Sequence, residues 1–274
     1  MNKVAFMSMD VESYFDTSCV KDKIPVDPKF NCAVDVSRYV DFLDAHNIKG
    51  TFFVVADFIK DCKEYLLKAI SHGHDIGLHC LHHRSLKRLT VNEFKQEIVE
   101  AKKILKEELN VEPVGFRFPR FEFKKSFFKV LKEEGFIYDS SVVTPDKNFN
   151  KIQDYIYLRK DLYEFSPNSW RFPFKTVLLS GGGYCRFLKG DALNNVLKKH
   201  IDKHNTFMVY FHPFEIHDGY LPTPNNILKV QKMYINKNRD TYLDFLDRLI
   251  KYLKEQGYEF MTFKEYAINH KKEK

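Results

Sequence analysis

Apolar residues along this chain fall into two alternating rhythms. Stretches with helical spacing run over Val36 to His46, Cys62 to Ser71, Lys125 to Glu134 and Thr241 to Gln256. They stop at or near Asn47, Gly73, Gly135 and Gly257, residues able to supply the left-handed conformation that ends a helix. Thr90-Val91-Asn92-Glu93 has the pattern of a capping box and opens a longer helix to about Leu109, and Asp191 caps another to about Lys203. Short apolar runs stand between these helices: Val4-Ala5-Phe6-Met7, Gly50 to Val55, Asp75 to Leu78, Val114-Gly115-Phe116, Phe136-Ile137-Tyr138, Phe207 to Phe211 and Tyr258 to Met261. Repeated helix–stop–strand units predict parallel strands joined by crossover helices, in a barrel or a doubly wound sheet. The polar clusters Asp10/Glu12, His79/His83, Arg117 and His212 all follow strand C-terminal ends. In a βα barrel those ends converge on one face, so the pattern favours an α/β barrel of seven or eight units, with residues 1–274 as a single domain.

Three stretches break the rhythm. Ser13 to Asp35 is a long polar loop that should border the active face. Val142 to Leu188 is richer in Pro, Gly and aromatics and reads as strands and loops forming a side wall of the cleft. Glu215 to Asn238 is a third irregular piece.

Composition narrows the picture. A 274-residue chain with 44% hydrophobic and 30% charged residues can bury a full core under an ordinary polar surface. The net charge of +7 is scattered, and with no recognition motif beside it nucleic acid is not an expected partner. Five cysteines without Cys-x-x-Cys spacing fit a reducing compartment better than a disulfide framework. Asp10 and Glu12 interrupt any signal-peptide core, and the apolar runs are too short to span a bilayer. The expected location is the cytoplasm, with contact at the inner membrane surface left open.

Asp10 and Glu12, two apart at a strand end, can face the same side, one binding a metal while the other stays free. His79 and His83 lie just after a strand, where ligands are expected, although His79 with His82 would also fit one helical turn. A carboxylate and two imidazoles make a divalent-metal site with open positions for water. Arg117, followed by the stiffening Pro119, can hold a carboxylate ionised and oriented, and the direction of Arg120 stays open. His212, in His212-Pro213-Phe214-Glu215, ends a fully apolar strand.

Taken in order, Asp-x-Glu, Thr51-Phe52-Phe53, His-x-x-x-His, Arg-x-Pro and His-Pro-x-Glu resemble the polysaccharide deacetylases with a NodB homology domain, carbohydrate esterase family 4. Tyr138-Asp139-Ser140-Ser141 and Gly181-Gly182-Gly183-Tyr184 are similar to its exopolysaccharide and surface-glycan branch. The resemblance implies a distorted (β/α)7 TIM-like barrel and a divalent ion, most simply zinc, held by Glu12, His79 and His83. It implies N-deacetylation of an amino-sugar glycan or of a lipid- or nucleotide-linked precursor, with Asp10 as base, Arg117 holding it, and His212 as acid. Arg120 and Tyr184 are assigned to substrate binding. Two departures stand out. The commoner motif has adjacent aspartates where this chain has Asp10-Val11-Glu12. An allantoinase-like sub-branch shares Asp-x-Glu and can work without metal, so a cyclic-amide hydrolase or a deformylase is the alternative activity. The Asp-x-x-Asp-Trp segment that tunes the acid histidine is absent, and Glu164 is the expected substitute.

Overall fold

The fold comes from a computed structural model, which describes residues 2–172, 175–187 and 191–271, without the side chains at 171–172, 175–177, 184, 187, 191–194 and 271. Twelve strands are described: β1 Val4–Val11, β2 Thr51–Val54, β3 Asp75–Leu78, β4 Gly115–Phe116, β5 Tyr138–Asp139, β6 Asn150–Gln153, β7 Ile156–Arg159, β8 Leu162–Phe165, β9 Ser169–Phe172, β10 Lys175–Leu178, β11 Thr206–Phe211 and β12 Glu259–Phe260. The helices are α1 Val34–Ala45, α2 Ile59–Ser71, α3 Val91–Leu109, α4 Phe127–Glu133, α5 Gly182–Phe187, α6 Asp191–Lys203, α7 Lys229–Asn236, α8 Tyr242–Glu255 and α9 Phe263–Lys271.

Seven strands pair in parallel in the order β11-β1-β2-β3-β4-β5-β8. The antiparallel pair β7 and β6 extends the β8 edge. The arrangement is a distorted (β/α)7 barrel. β1 shows why the sequence takes it. All eight of its residues are buried, with Ala5, Met7, Met9 and Val11 packed in the large outer core and Val4 and Phe6 in a separate inner cluster. Strand alternation therefore points Ser8, Asp10 and then Glu12 into the barrel.

Two glycines make room inside. A Cβ at Gly115 would lie 1.7 Å from the Tyr138 ring, and one at Gly77 would lie 2.7 Å from Phe53. Both rings thus cross the barrel interior above Phe263 and Tyr266 of α9, which belong to the same inner cluster. The sequence reading contained no helix after Met261. Yet Thr262 and Glu265 cap α9 reciprocally, at 2.7 and 3.1 Å, and the helix plugs the barrel with aromatic side chains.

The barrel closes through a side chain rather than a ladder. Asn168 Oδ1 accepts from the Met208 N–H at 2.8 Å, and its Nδ2 donates to the Thr206 carbonyl at 3.0 Å. The neighbouring Ser180 carbonyl accepts from the Tyr210 N–H at 3.0 Å. The segment from 142 to 188, expected as a cleft wall, instead supplies the last barrel strand, the antiparallel flap and this seam.

Candidate active site

Ser8, Asp10 and Glu12 climb the inner face of β1 toward the strand's C-terminal end. Arg117 follows β4, is fully buried, and enters the barrel from the opposite side. Its Nη1 donates to Asp10 Oδ1 at 2.6 Å and to Ser8 Oγ at 3.1 Å. Nε and Nη2 donate to the carbonyl and hydroxyl of Ser140 at 3.0 and 2.8 Å. The guanidinium also lies over the Phe53 ring, 4.1 Å from its centroid. A buried charge satisfied on every side holds Asp10 in one orientation.

His79 continues β3 by one residue, its N–H donating to the Val54 carbonyl at 2.8 Å. Its Nδ1 lies 2.7 Å from the Arg117 carbonyl, a donor contact that leaves Nε2 aimed at Glu12. Cys80 then adopts a left-handed φ of 68°, which turns the chain out of the strand. The turn brings His83 back beside His79, with ring centroids 5.5 Å apart. No helix carries this pair. Cys80 itself is buried in the outer core, and His82 is exposed and paired with Asp57.

Glu12 is the meeting point. Its Oε2 lies 2.7 Å from His83 Nε2 and 3.7 Å from His79 Nε2, while Oε1 lies 3.8 Å from His212 Nε2. Burial by itself would raise the Glu12 carboxyl, but the imidazoles of His83, His212 and His79 outweigh it and hold it at about 2. Burial lowers His79 to about 4, so its neutral, ligating form prevails. One atom from each of Glu12, His79 and His83 lies within 4.8 Å of the others. Apart from its 2.7 Å contact with His83 Nε2, buried Glu12 Oε2 has no hydrogen-bond partner among the described residues. A buried carboxylate oxygen facing two inward imidazoles fits a divalent cation by donor chemistry.

His212 directly follows β11 and faces the same cluster. Its Nδ1 lies 3.0 Å from Glu215 Oε2, which also accepts the His212 backbone N–H at 3.1 Å. Buried Arg186 in turn donates to Glu215 Oε1 at 2.9 Å. Burial would lower His212, yet Glu12, Glu215 and Asp10 together raise it to about 9, so the ring is a proton donor at neutral pH.

Glu215 is the residue that sequence reasoning passed over. Glu164, expected beside the acid histidine, sits elsewhere. It lies on β8, accepts from the Ser141 and Val142 N–H groups at 3.0 and 2.9 Å, and faces Asp139. Outward alternation on β8 turns it away from the barrel interior, so it cannot reach His212. The signal for Glu215 was present in His212-Pro213-Phe214-Glu215. A proline at the first turn position and a glutamate at the third predict a carboxylate that folds back on the capping residue.

These groups open into a cleft of about 210 Å³, walled by Phe118, Arg120, Phe121, Tyr210, Phe214 and Tyr234. Arg120 and Phe121 both have left-handed backbones, with φ of 58° and 57°, a strained turn at the cleft edge. Arg120 is exposed there. Tyr184 lies in α5, and its side chain is outside the described residues.

Fold and site together define a parallel βα barrel with a polar cleft at the C-terminal ends of its strands. Residues 27–138 match the family model "Polysaccharide deacetylase", and residues 144–267 match a "Domain of unknown function (DUF3473)". Residues 27–138 thus resemble the polysaccharide deacetylase family, and residues 144–267 match a different model. Chitin deacetylase 1 of Cryptococcus neoformans var. grubii is 38% identical over 80 residues, covering 29% of this chain and 17% of that protein. The peptidoglycan-N-acetylmuramic acid deacetylase PdaA of Bacillus subtilis is 34% identical over 61 residues, covering 22% of this chain and 23% of PdaA. The chain thus matches less than a quarter of the length of either relative. In structure, PdaA gives a TM-score of 0.55 at 19% identity, covering 98% of this chain and 82% of PdaA. A mutant of BA3943, a CE4 family pseudoenzyme from Bacillus anthracis, with restored enzymatic activity, gives 0.57 at 14% identity, covering 97% and 68%. At these identities the structural likeness shows the fold alone.

Proposed function

We propose that the chain is a metal-dependent hydrolase that removes an N-acetyl group from an amino sugar of a glycan or glycan precursor. The observation that carries this reading is the convergence of Glu12, His79 and His83 between two separately held proton-transfer groups, the Asp10–Arg117 pair and the His212–Glu215 pair. The chitin and peptidoglycan deacetylases among its relatives support the substrate class.

Glu12, His79 and His83 would hold the ion, and their mixed oxygen and nitrogen donors would suit zinc. When bound, the ion supplies Lewis-acid chemistry and lowers the pKa of water to ~7. Asp10, held in place by the Arg117 guanidinium, takes the proton from the attacking water. The backbone N–H of Arg120, at the cleft edge, stabilises the developing oxyanion. His212 gives its proton to the leaving amine, and Glu215 keeps the imidazolium oriented and charged. Acetate and a free amine are the products.

The reading treats residues 1–274 as one barrel domain, supported by the β5–β8 pairing that joins the two matched regions. It places the protein in the cytoplasm acting on a precursor. No described helix is long and apolar enough to cross a membrane. The Asp10-Val11-Glu12 spacing favours a second reading, hydrolysis of a formyl or cyclic amide. Acetate release from N-acetylated amino-sugar oligomers, run beside formate release and cyclic-ureide hydrolysis, separates the two. Turnover of the ureide by metal-free protein would sink the deacetylase reading.

A further inference from the structure

Ten large hydrophobic side chains are exposed among the described residues, and five of them stand on two segments: Val26, Tyr220, Leu228, Val230 and Met233. One segment follows β1 and the other follows β11, so both leave the strand ends that carry the cleft. They are bound to each other. The Phe30 and Tyr220 rings are 6.0 Å apart, and Tyr14 Oη donates to the Pro222 carbonyl at 2.7 Å. A small core behind them joins Ile24 and Phe30 to Ile227 and Tyr234. The inward side of α7 sends Tyr234 to the cleft wall and buries Ile235. Its outward side carries Val230 and Met233, three residues apart, next to exposed Lys229 and Lys232. Tyr220 is 74% and Leu228 68% exposed. No carboxylate pairs with Lys229 or Lys232 among the described residues.

Leu228, Val230 and Met233 stand exposed close together in sequence, on the segment whose Tyr234 lines the cleft, a placement that suits an interaction surface. Its chemistry selects the partner. Sugar polymers are gripped by aromatic faces, and only Tyr220 of the five is aromatic. Aliphatic side chains flanked by unpaired lysines suit the boundary between acyl chains and anionic headgroups, where lysine stems lie along apolar surface and their charges reach phosphate. We propose that this rim docks on an anionic lipid bilayer, with Leu228, Val230 and Met233 entering the headgroup region and Lys229 and Lys232 meeting lipid phosphates. The cleft then opens along the membrane surface, toward a substrate carried on lipid. The docking rests on where the rim stands and not on the deacetylase reading.

The test is sedimentation of the full chain with vesicles of phosphatidylglycerol and phosphatidylcholine, against phosphatidylcholine alone. The expected result is binding to the anionic vesicles that weakens with salt. Binding falls roughly tenfold or more in the Leu228→Asp/Val230→Asp variant and in the Lys229→Glu/Lys232→Glu variant. Both keep wild-type circular dichroism and melting, and both keep wild-type acetate release from a soluble oligomer, which separates docking from catalysis. Absence of wild-type binding, or undiminished binding by the folded variants, overturns the proposal. So does loss of affinity for soluble chitooligosaccharide in the same variants with vesicle binding unchanged.

Discussion

The proton on His212 is governed by a carboxylate only three residues along the chain, and that carboxylate is itself fixed by a buried arginine. Replacing Glu215 by Gln removes one of the negative charges that raise His212, so its pKa falls toward the value burial dictates. The alkaline limb of the pH–rate profile should move to lower pH, with kcat down on the order of tenfold or more. Glu164→Gln should leave that limb in place, because Glu164 touches Ser141, Val142 and Asp139 instead. Asp10→Asn and His212→Ala should each lower turnover on the order of 10²–10⁴-fold while bound metal, measured by elemental analysis, stays unchanged. At this scale the sequence was informative wherever a side chain sits at a strand end. Asp10, Glu12, His79, Arg117 and His212 all do, because alternation and barrel geometry decide their direction. His83 was harder, since its place depends on the left-handed turn at Cys80, which spacing does not reveal. Glu215 was missed because its role arises from a short turn rather than from a strand.

Elements bounded by strong stop signals were the most legible. Asn47, Gly73, Gly135 and Gly257 all adopt the positive φ expected of helix stops, and Thr90 with Glu93 forms a capping box. β4 and β5 are only two residues each, and their pairing depends on what crosses the barrel interior. Gly115→Ala would drive a methyl group into Tyr138 and should cost about 1–3 kcal/mol, read from denaturant melts. The outer faces of β5 and β8 bring Asp139 opposite Glu164. Burial pushes Asp139 up to about 7, and burial with the Asp139 charge pushes Glu164 well above the usual range. The folded state therefore retains protons that the unfolded chain releases near pH ~4, so this pair's contribution falls as pH rises from ~4 and keeps falling until both folded carboxyls have ionised. Asp139→Asn mimics the protonated form and should melt higher than the parent at pH ~8, with the difference vanishing near pH ~4. An equal difference at both pH values would count against a shared proton.

For the molecule as a whole, a parallel βα barrel with its chemistry on one face could be read from the chain, and its closure could not. The seam depends on Asn168, a single polar residue in an irregular stretch, which serves the backbone of β11 on both sides and lies 3.0 Å from His200 Nε2. Asn168→Ala leaves buried backbone groups unpaired there and should cost roughly 2–4 kcal/mol in equilibrium unfolding. α9 was likewise invisible as a plug, because its role is set by the aromatic space left by Gly77 and Gly115 far away in sequence. The fold is shared with a CE4 family pseudoenzyme, so the barrel does not carry the activity by itself. The claim rests on whether Glu12, His79 and His83 hold a working ion. Acetate release from an N-acetylated amino-sugar oligomer, followed while zinc is returned to chelator-stripped protein, tests this most directly. The account predicts turnover that rises with bound metal and saturates at one ion per chain. Equal turnover before and after metal return, or no acetate with the site filled, would contradict it.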